Sequence, residues 1–161
     1  MGLKIDKLIM SSPLMKQVDF YLISNQIVDA KYKLASRLCN KLQRMDQSAL
    51  IITDNEHSTS ELDRVMWSFS DTSFLAHEHL GKPDFDSKIQ IGDASLASPK
   101  LLENKYNVLI NISSEIPIFN HHFERIAEIV DFDEGSKNAA RVRYKKYQTE
   151  GFEIKTHNIE L

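Results

Sequence analysis

The 161-residue chain has the length of one domain, with 42% apolar and 27% charged residues and a formal net charge of −3, a composition that excludes fibrous and disordered classes. Its single cysteine, Cys39, excludes an internal disulfide framework and a cysteine zinc cluster, and fits a reducing compartment. Lys4, Asp6 and Lys7 break the N-terminal apolar stretch before it could form a signal-peptide core, and nothing approaches the roughly 20 apolar residues of a membrane span. The expectation is a cytoplasmic protein without membrane association.

Residues 1–17 read as a polar N-terminal extension and 18–161 as one domain. "VDFYLIS" (Val18 to Ser24) is a strand, with Ser24 and Asn25 suited to cap a following helix. Ile27, Ala30, Leu34, Leu38, Leu42 and Met45 recur at spacings of three and four, which predicts an amphipathic helix of about five turns with Cys39 an inert thiol on its apolar side. "SALIIT" (Ser48 to Thr53) is a second strand. Ser58 followed by Glu61 has capping-box spacing for a helix through Leu62, Val65 and Met66. From Trp67 to Lys105 the signals weaken into loop-like sequence, with "KIQIG" a short strand candidate. "NVLINI" (Asn107 to Ile112) and "IAEIVDF" (Ile126 to Phe132) are continuous apolar strands of the kind buried on both faces. A helix from Ser136 to Glu150 and the segment "FEIKTHNI" complete the series.

Strands alternating with helices predict an α/β fold, a three-layer α/β/α sandwich around a largely parallel sheet. Such a fold is nucleotide-binding-like, yet the turn "SNQIVD" after the first strand has no glycine. Neither G-x-x-x-x-G-K-[ST] nor G-x-G-x-x-G occurs, so the phosphate loop is missing and the fold class carries no function by itself.

The chemistry-bearing residues divide into three groups. His77 and His79 form a short H-x-H, and with His121 and His122 they lack the cysteine partners and spacing of a metal site. No metal, cofactor or catalytic residue is assigned, since a G-x-S-x-G elbow is absent as well. Asp131, Asp133 and Glu134 read as a solvated loop that favours the next helix N-terminus. Trp67, Phe69 and Phe74 fall within eight residues at a helix end, where aromatics are either core or anchors for a protein partner.

The third group is the most polarised. Five of the ten residues from Lys137 to Lys146 are basic and none is acidic, which leaves −8 on the rest of the chain. Lys145, Lys146 and the cap candidate Gly151 would suit the end of any solvated helix. Lys137, Arg141, Tyr144, Lys145 and Gln148, however, share one helical face. Guanidinium, ammonium and an aromatic ring together are equipment for a carboxylate-rich peptide with an apolar side chain.

Taken together, "FYLIS", "LDRVMW…SF" at 62 to 74, "IVDFDE" at 129 to 134 and "AARVRYKKYQTEGFEI" at 139 to 154 resemble the chi subunit of bacterial DNA polymerase III, the HolC family, in that family's order. The resemblance implies a non-catalytic adaptor of the clamp-loader complex in DNA replication, with only indirect contact to DNA. Lys137, Arg141, Tyr144 and Lys145 match the family's residues for the acidic C-terminal tail of single-stranded DNA-binding protein. Trp67 and Phe74 match the aromatics that hold the psi subunit and, in some bacteria, a competing helicase. The sequence departs from the family at Asp133, where an apolar residue would wall the tail pocket.

Two alternatives stand beside that reading. "YKKYQTEGFEI" also looks like the helix, Gly-Phe and strand that end an N-acyltransferase, although the R-x-x-G-x-G/A pyrophosphate loop is absent. Direct nucleic-acid binding through the basic helix would call for an aromatic-studded groove or a basic domain, and the sequence has neither.

Overall fold

The computed structural model describes residues 15–68, 75–80, 87–102 and 106–161. Seven strands form one sheet: β1 (Gln17–Ile23), β2 (Ala49–Thr53), β3 (Glu78–His79), β4 (Ile89–Asp93), β5 (Val108–Asn111), β6 (Arg125–Val130) and β7 (Glu153–Ile159). Their spatial order is β3-β4-β2-β5-β6-β1-β7, and every pairing is parallel. Parallel neighbours require crossover connections, and these place helices on the two faces. The helices are α1 (Ala30–Arg44), α2 (Glu56–Ser68), the single turn α3 (Pro99–Leu102) and α4 (Glu134–Thr149).

Adjacent strand residues point to opposite faces, so a strand covered on both sides must be apolar throughout. On one face Tyr21, Ile51, Ile110 and Ile129 pack with Leu34, Leu38 and Leu42 of α1 and Leu62 and Met66 of α2. On the other, Phe20, Leu50, Leu109 and Ile126 pack with Leu101 of α3, Ala140 and Tyr147 of α4, and Phe119 and Phe123. The expected three-layer sandwich is therefore present, with all strand pairs parallel rather than most. Each fully buried Leu or Ile contributes about 1.5–3 kcal/mol, and Leu34, Leu50, Ile51 and Ile110 are all at 0% exposure. Cys39 is buried in the first layer, where burial pushes its thiol up.

Several local expectations change. α1 covers four turns; Ile27 and Met45 pack on the core from outside its ends. Ser24 and Asn25 do not cap it. The Ser24 hydroxyl donates to the Ile159 carbonyl at 3.1 Å, and Asn25 exchanges two hydrogen bonds with the Leu161 backbone at 2.9 and 3.1 Å, so both tie down the C-terminal strand. α1 instead starts from Asp29 in the left-handed region (φ 58°) without a side-chain cap. At α2 the cap is Asn55, whose side-chain oxygen accepts from the Ser58 N–H at 2.9 Å and its hydroxyl at 3.1 Å. Ser58 is thus inside the helix, and Glu61 binds Arg64 at 2.7 Å.

The weak central region contributes β3 and β4 at one sheet edge, and its turn-rich end supplies α3. Gln17, expected in the leader, opens β1, while residues 1–14 lie outside the described residues. Among the described residues no helix is long and apolar enough to cross a membrane.

Candidate functional site

α4 is fixed at both ends by local chemistry. Asp133 is its N-cap: the carboxylate accepts from the Ser136 N–H at 2.9 Å and from its hydroxyl at 2.6 Å, and these bonds hold the carboxyl below the usual range. Glu134 follows in the first turn, where a negative charge complements the dipole. At the other end Gly151 takes φ 84° and the Phe152 N–H reaches back to the Tyr147 carbonyl at 3.1 Å, a Schellman closure. Phe152 and Tyr147 then stack edge to face at 5.3 Å, both buried. The helix axis and rotation are thereby set, so each side chain has one assigned face.

The face turned toward β1 and β7 forms a groove of about 410 Å³. Its floor is apolar, from Phe20 and Leu22 of β1, Val130 of β6 and Ala140 of α4. Lys137, Arg141, Tyr144 and Lys145 line it from the helix. Tyr144 is 38% exposed and rests its ring 5.6 Å from that of Phe20, so its aromatic body extends the floor while the residue stays partly open to solvent. The Lys137 ammonium lies 5.0 Å over the Phe132 ring and 3.6 Å from Glu134. Arg141 donates to the Asn138 side chain on the solvent side. Of the five residues that the helical phase puts on one face, Lys137, Arg141, Tyr144 and Lys145 line the groove and Gln148 does not.

Asp133 is not a wall of this groove. Its carboxylate faces a neighbouring cleft of about 260 Å³ at the carboxyl ends of β5 and β6, shared with Lys31, Asp54, Ser114 and Arg143. Capping chemistry, rather than the groove, accounts for an acid at this position.

Where it borders that cleft, the opposite face of α4 is closed off by a buried arginine. Arg143, counted among the basic residues of the sequence, is 5% exposed and its Nε donates to Glu128 Oε1 at 3.0 Å, with Nη1 on the Ser114 carbonyl at 3.0 Å. Glu128 Oε2 accepts from the Tyr147 hydroxyl at 2.7 Å and from Asn111 Nδ2 at 2.9 Å. Burial pushes the Glu128 carboxyl up, and the Arg143 charge with the three donors opposes that push. One charge of the apparent basic ridge is therefore neutralised in the core. Glu128 and the floor residues of β1 and β6 carry no signal in the sequence beyond membership of apolar strands.

Trp67 lies elsewhere, on α2 in the other helical layer. It is 58% exposed, so its indole is not core. Its ring is 5.2 Å from that of His77. His77 in turn places Nε2 2.7 Å from Asp63 and Nδ1 2.7 Å from the Leu75 carbonyl, while His79 Nε2 is 3.2 Å from the same Asp63 oxygen. Partial burial pushes the Asp63 carboxyl up, but the hydrogen bonds and charge of the two histidines outweigh it and hold it below its ordinary value. Phe74 and Phe69 fall outside the described residues. The rings of His121 and His122 lie 4.4 Å apart, tilted by 35°, in a turn before β6.

Comparison with known proteins assigns the chain to a family. The family model described as DNA polymerase III chi subunit, HolC, matches residues 15–155. The chain is 31% identical over 145 residues to a DNA polymerase III subunit chi of Pseudomonas aeruginosa, covering 90% of this chain and 98% of that one. The chi subunit of Haemophilus influenzae is 28% identical over 145 residues, with 89% and 98% covered. That of Escherichia coli is 25% identical over 147 residues, with 88% and 97% covered. Among solved structures, the crystal structure of T4 UvsW superposes with a TM-score of 0.63 over 90% of this chain and 41% of that one. At 10% identity this similarity speaks to the fold alone. With a family match over most of its length and curated relatives covered almost end to end, the chain belongs to the DNA polymerase III chi subunit family.

Proposed function

We propose that this chi-family chain is a non-catalytic adaptor of the DNA polymerase III clamp-loader complex in the cytoplasm. In this reading residues 18–161 are the adaptor domain, residues 1–17 are an extension to it, and the α4 groove takes the acidic C-terminal tail of single-stranded DNA-binding protein. The observation that supports it is the convergence of Lys137, Arg141, Tyr144 and Lys145 on one apolar-floored groove. Arg141 offers a planar fork to a carboxylate, Lys137 and Lys145 add charge, and the floor under Tyr144 receives an apolar side chain. The exposed cations make binding salt-sensitive. Titration of the tail peptide into the full chain and an Arg141→Ala variant tests this: affinity falls at least about tenfold in the variant. Equal affinity would remove Arg141 from the site.

The aromatic end of α2 is proposed as the psi-subunit surface, through Trp67 and Phe74. A solvent-facing indole braced by His77 fits an anchor better than a core residue. The two surfaces lie in different helical layers, so one chain could hold psi and the tail together, with any helicase that uses the psi surface excluding psi. Trp67→Ala is expected to lower psi recovery in coexpression pull-downs while leaving tail affinity unchanged; a parallel loss of both would show that the two surfaces are not separate.

A further inference from the structure

β7 ends the sheet, and its geometry divides its residues into two sets. The Glu153 N–H donates to the Lys16 carbonyl at 2.9 Å, and the Ile159 carbonyl accepts from the Ser24 N–H at 2.8 Å. Backbone groups alternate sides along a strand, so Glu153, Lys155, His157 and Ile159 turn theirs toward β1. Ile154, Thr156 and Asn158 therefore turn their N–H and C=O outward. Among the described residues no strand pairs with this outer edge. Its register with β1 is unbroken by a bulge and its sequence, EIKTHNI, has no proline, while the charges that also guard edges, Glu153 and Lys155, stand on the side of the sheet away from the groove.

The same three residues share the groove's side of the sheet. Ile154, Thr156 and Asn158 are in register with Val18, Phe20 and Leu22, and Thr156 lines the groove beside Phe20 and Tyr144. Charged side chains on β7 are confined to the other side, where Lys155 lies 4.0 Å from Glu153. An extended segment added at the usual spacing of about 4.8 Å would put every second side chain on the groove side. There it would meet the cations of Lys137, Arg141 and Lys145, which suit alternating carboxylates. We propose that an acidic peptide bound in the groove adds to the outer edge of β7 as an eighth strand, bonded to the backbone of Ile154, Thr156 and Asn158. This rests on the groove being a site for an acidic tail, and it adds how such a tail is held: main-chain pairing supplies affinity and the α4 cations supply selectivity.

The test uses the full chain and the tail peptide of single-stranded DNA-binding protein, synthesised with one backbone amide N-methylated at a time. Methylation of alternate amides is expected to weaken binding about tenfold, with the intervening positions nearly unchanged. Thr156→Pro, which removes an outward N–H and leaves the β1 ladder intact, should produce a loss of the same order. If Arg141→Ala abolishes binding while the methyl scan is flat, the groove stands and the added strand is overturned. Failure of the unmodified peptide to bind would overturn both. A chain that dimerises through β7 and excludes the peptide would also overturn the proposal, in favour of self-pairing.

Discussion

Arg141 and Arg143 are two residues apart on α4, which places them about 200° apart around the helix. Arg143 is buried, with Glu128 and the Ser114 carbonyl around it. Arg141 lines an open groove, and its guanidinium donates a hydrogen bond to Asn138 on its own helix. The same guanidinium thus serves as a structural clasp on one face and as an available charge on the other. What separates them is desolvation: the clasp is held by leaving no alternative partner, whereas the exposed group keeps its hydration until a ligand displaces it. A cluster of basic residues in a helix should accordingly be counted by phase, because only part of it is presented.

The most forceful way to break the contrast is Arg143→Ala. It leaves the Glu128 carboxylate buried without its cation, a defect expected to cost about 3–5 kcal/mol of stability. Chemical denaturation would show a lower midpoint, and a change below about 1 kcal/mol would mean that the network tolerates an empty partner. Arg141→Ala should do the reverse. Its stability should change by less than about 0.5 kcal/mol, as for other exposed sites, while tail-peptide affinity drops. If the two variants had similar unfolding midpoints, the division of α4 into a closed and an open face would be wrong.

Much of this division was legible in the sequence, and the rest fails for identifiable reasons. The i, i+4, i+7, i+8 relation of Lys137, Arg141, Tyr144 and Lys145 predicts their common face, and the groove they line follows it. Gly151 was legible because a left-handed cap leaves a strong local mark. The partner of Arg143 was not, since Glu128 sits inside an apolar strand where one acid looks like an interruption. Phe20 and Leu22 were readable as core, but their place as groove floor depends on β1 lying between β6 and β7, a non-local fact. Ser24 and Asn25 satisfy a cap pattern yet bind the chain's end, because a partner more than a hundred residues away competes with the local one. The two-residue β3 is too short to show any period.

Asp133 gives the smallest and sharpest test, because both faces of α4 depend on the same first turn. Asp133→Ala removes an N-cap and should cost about 1 kcal/mol, less than the clasp and without direct loss of a groove group. If the groove needs only the helix phase, tail affinity in this variant should stay near that of the parent under conditions where both are folded. Asp133→Asn separates the cap from its charge, since Asn also caps well. The folded-state pKa of Asp133 is depressed by the Ser136 bonds, so its contribution is complete above the unfolded aspartate value of about 3.9 and fades as pH falls through the lower folded value. Thermal melts of the parent and Asp133→Asn should therefore run parallel at neutral pH, and below about pH 4 the parent should lose stability faster. Identical acid profiles would show that the folded-state carboxyl of Asp133 is not held below its unfolded value, and that its charge adds nothing to the hydrogen bonds that any capping oxygen would accept.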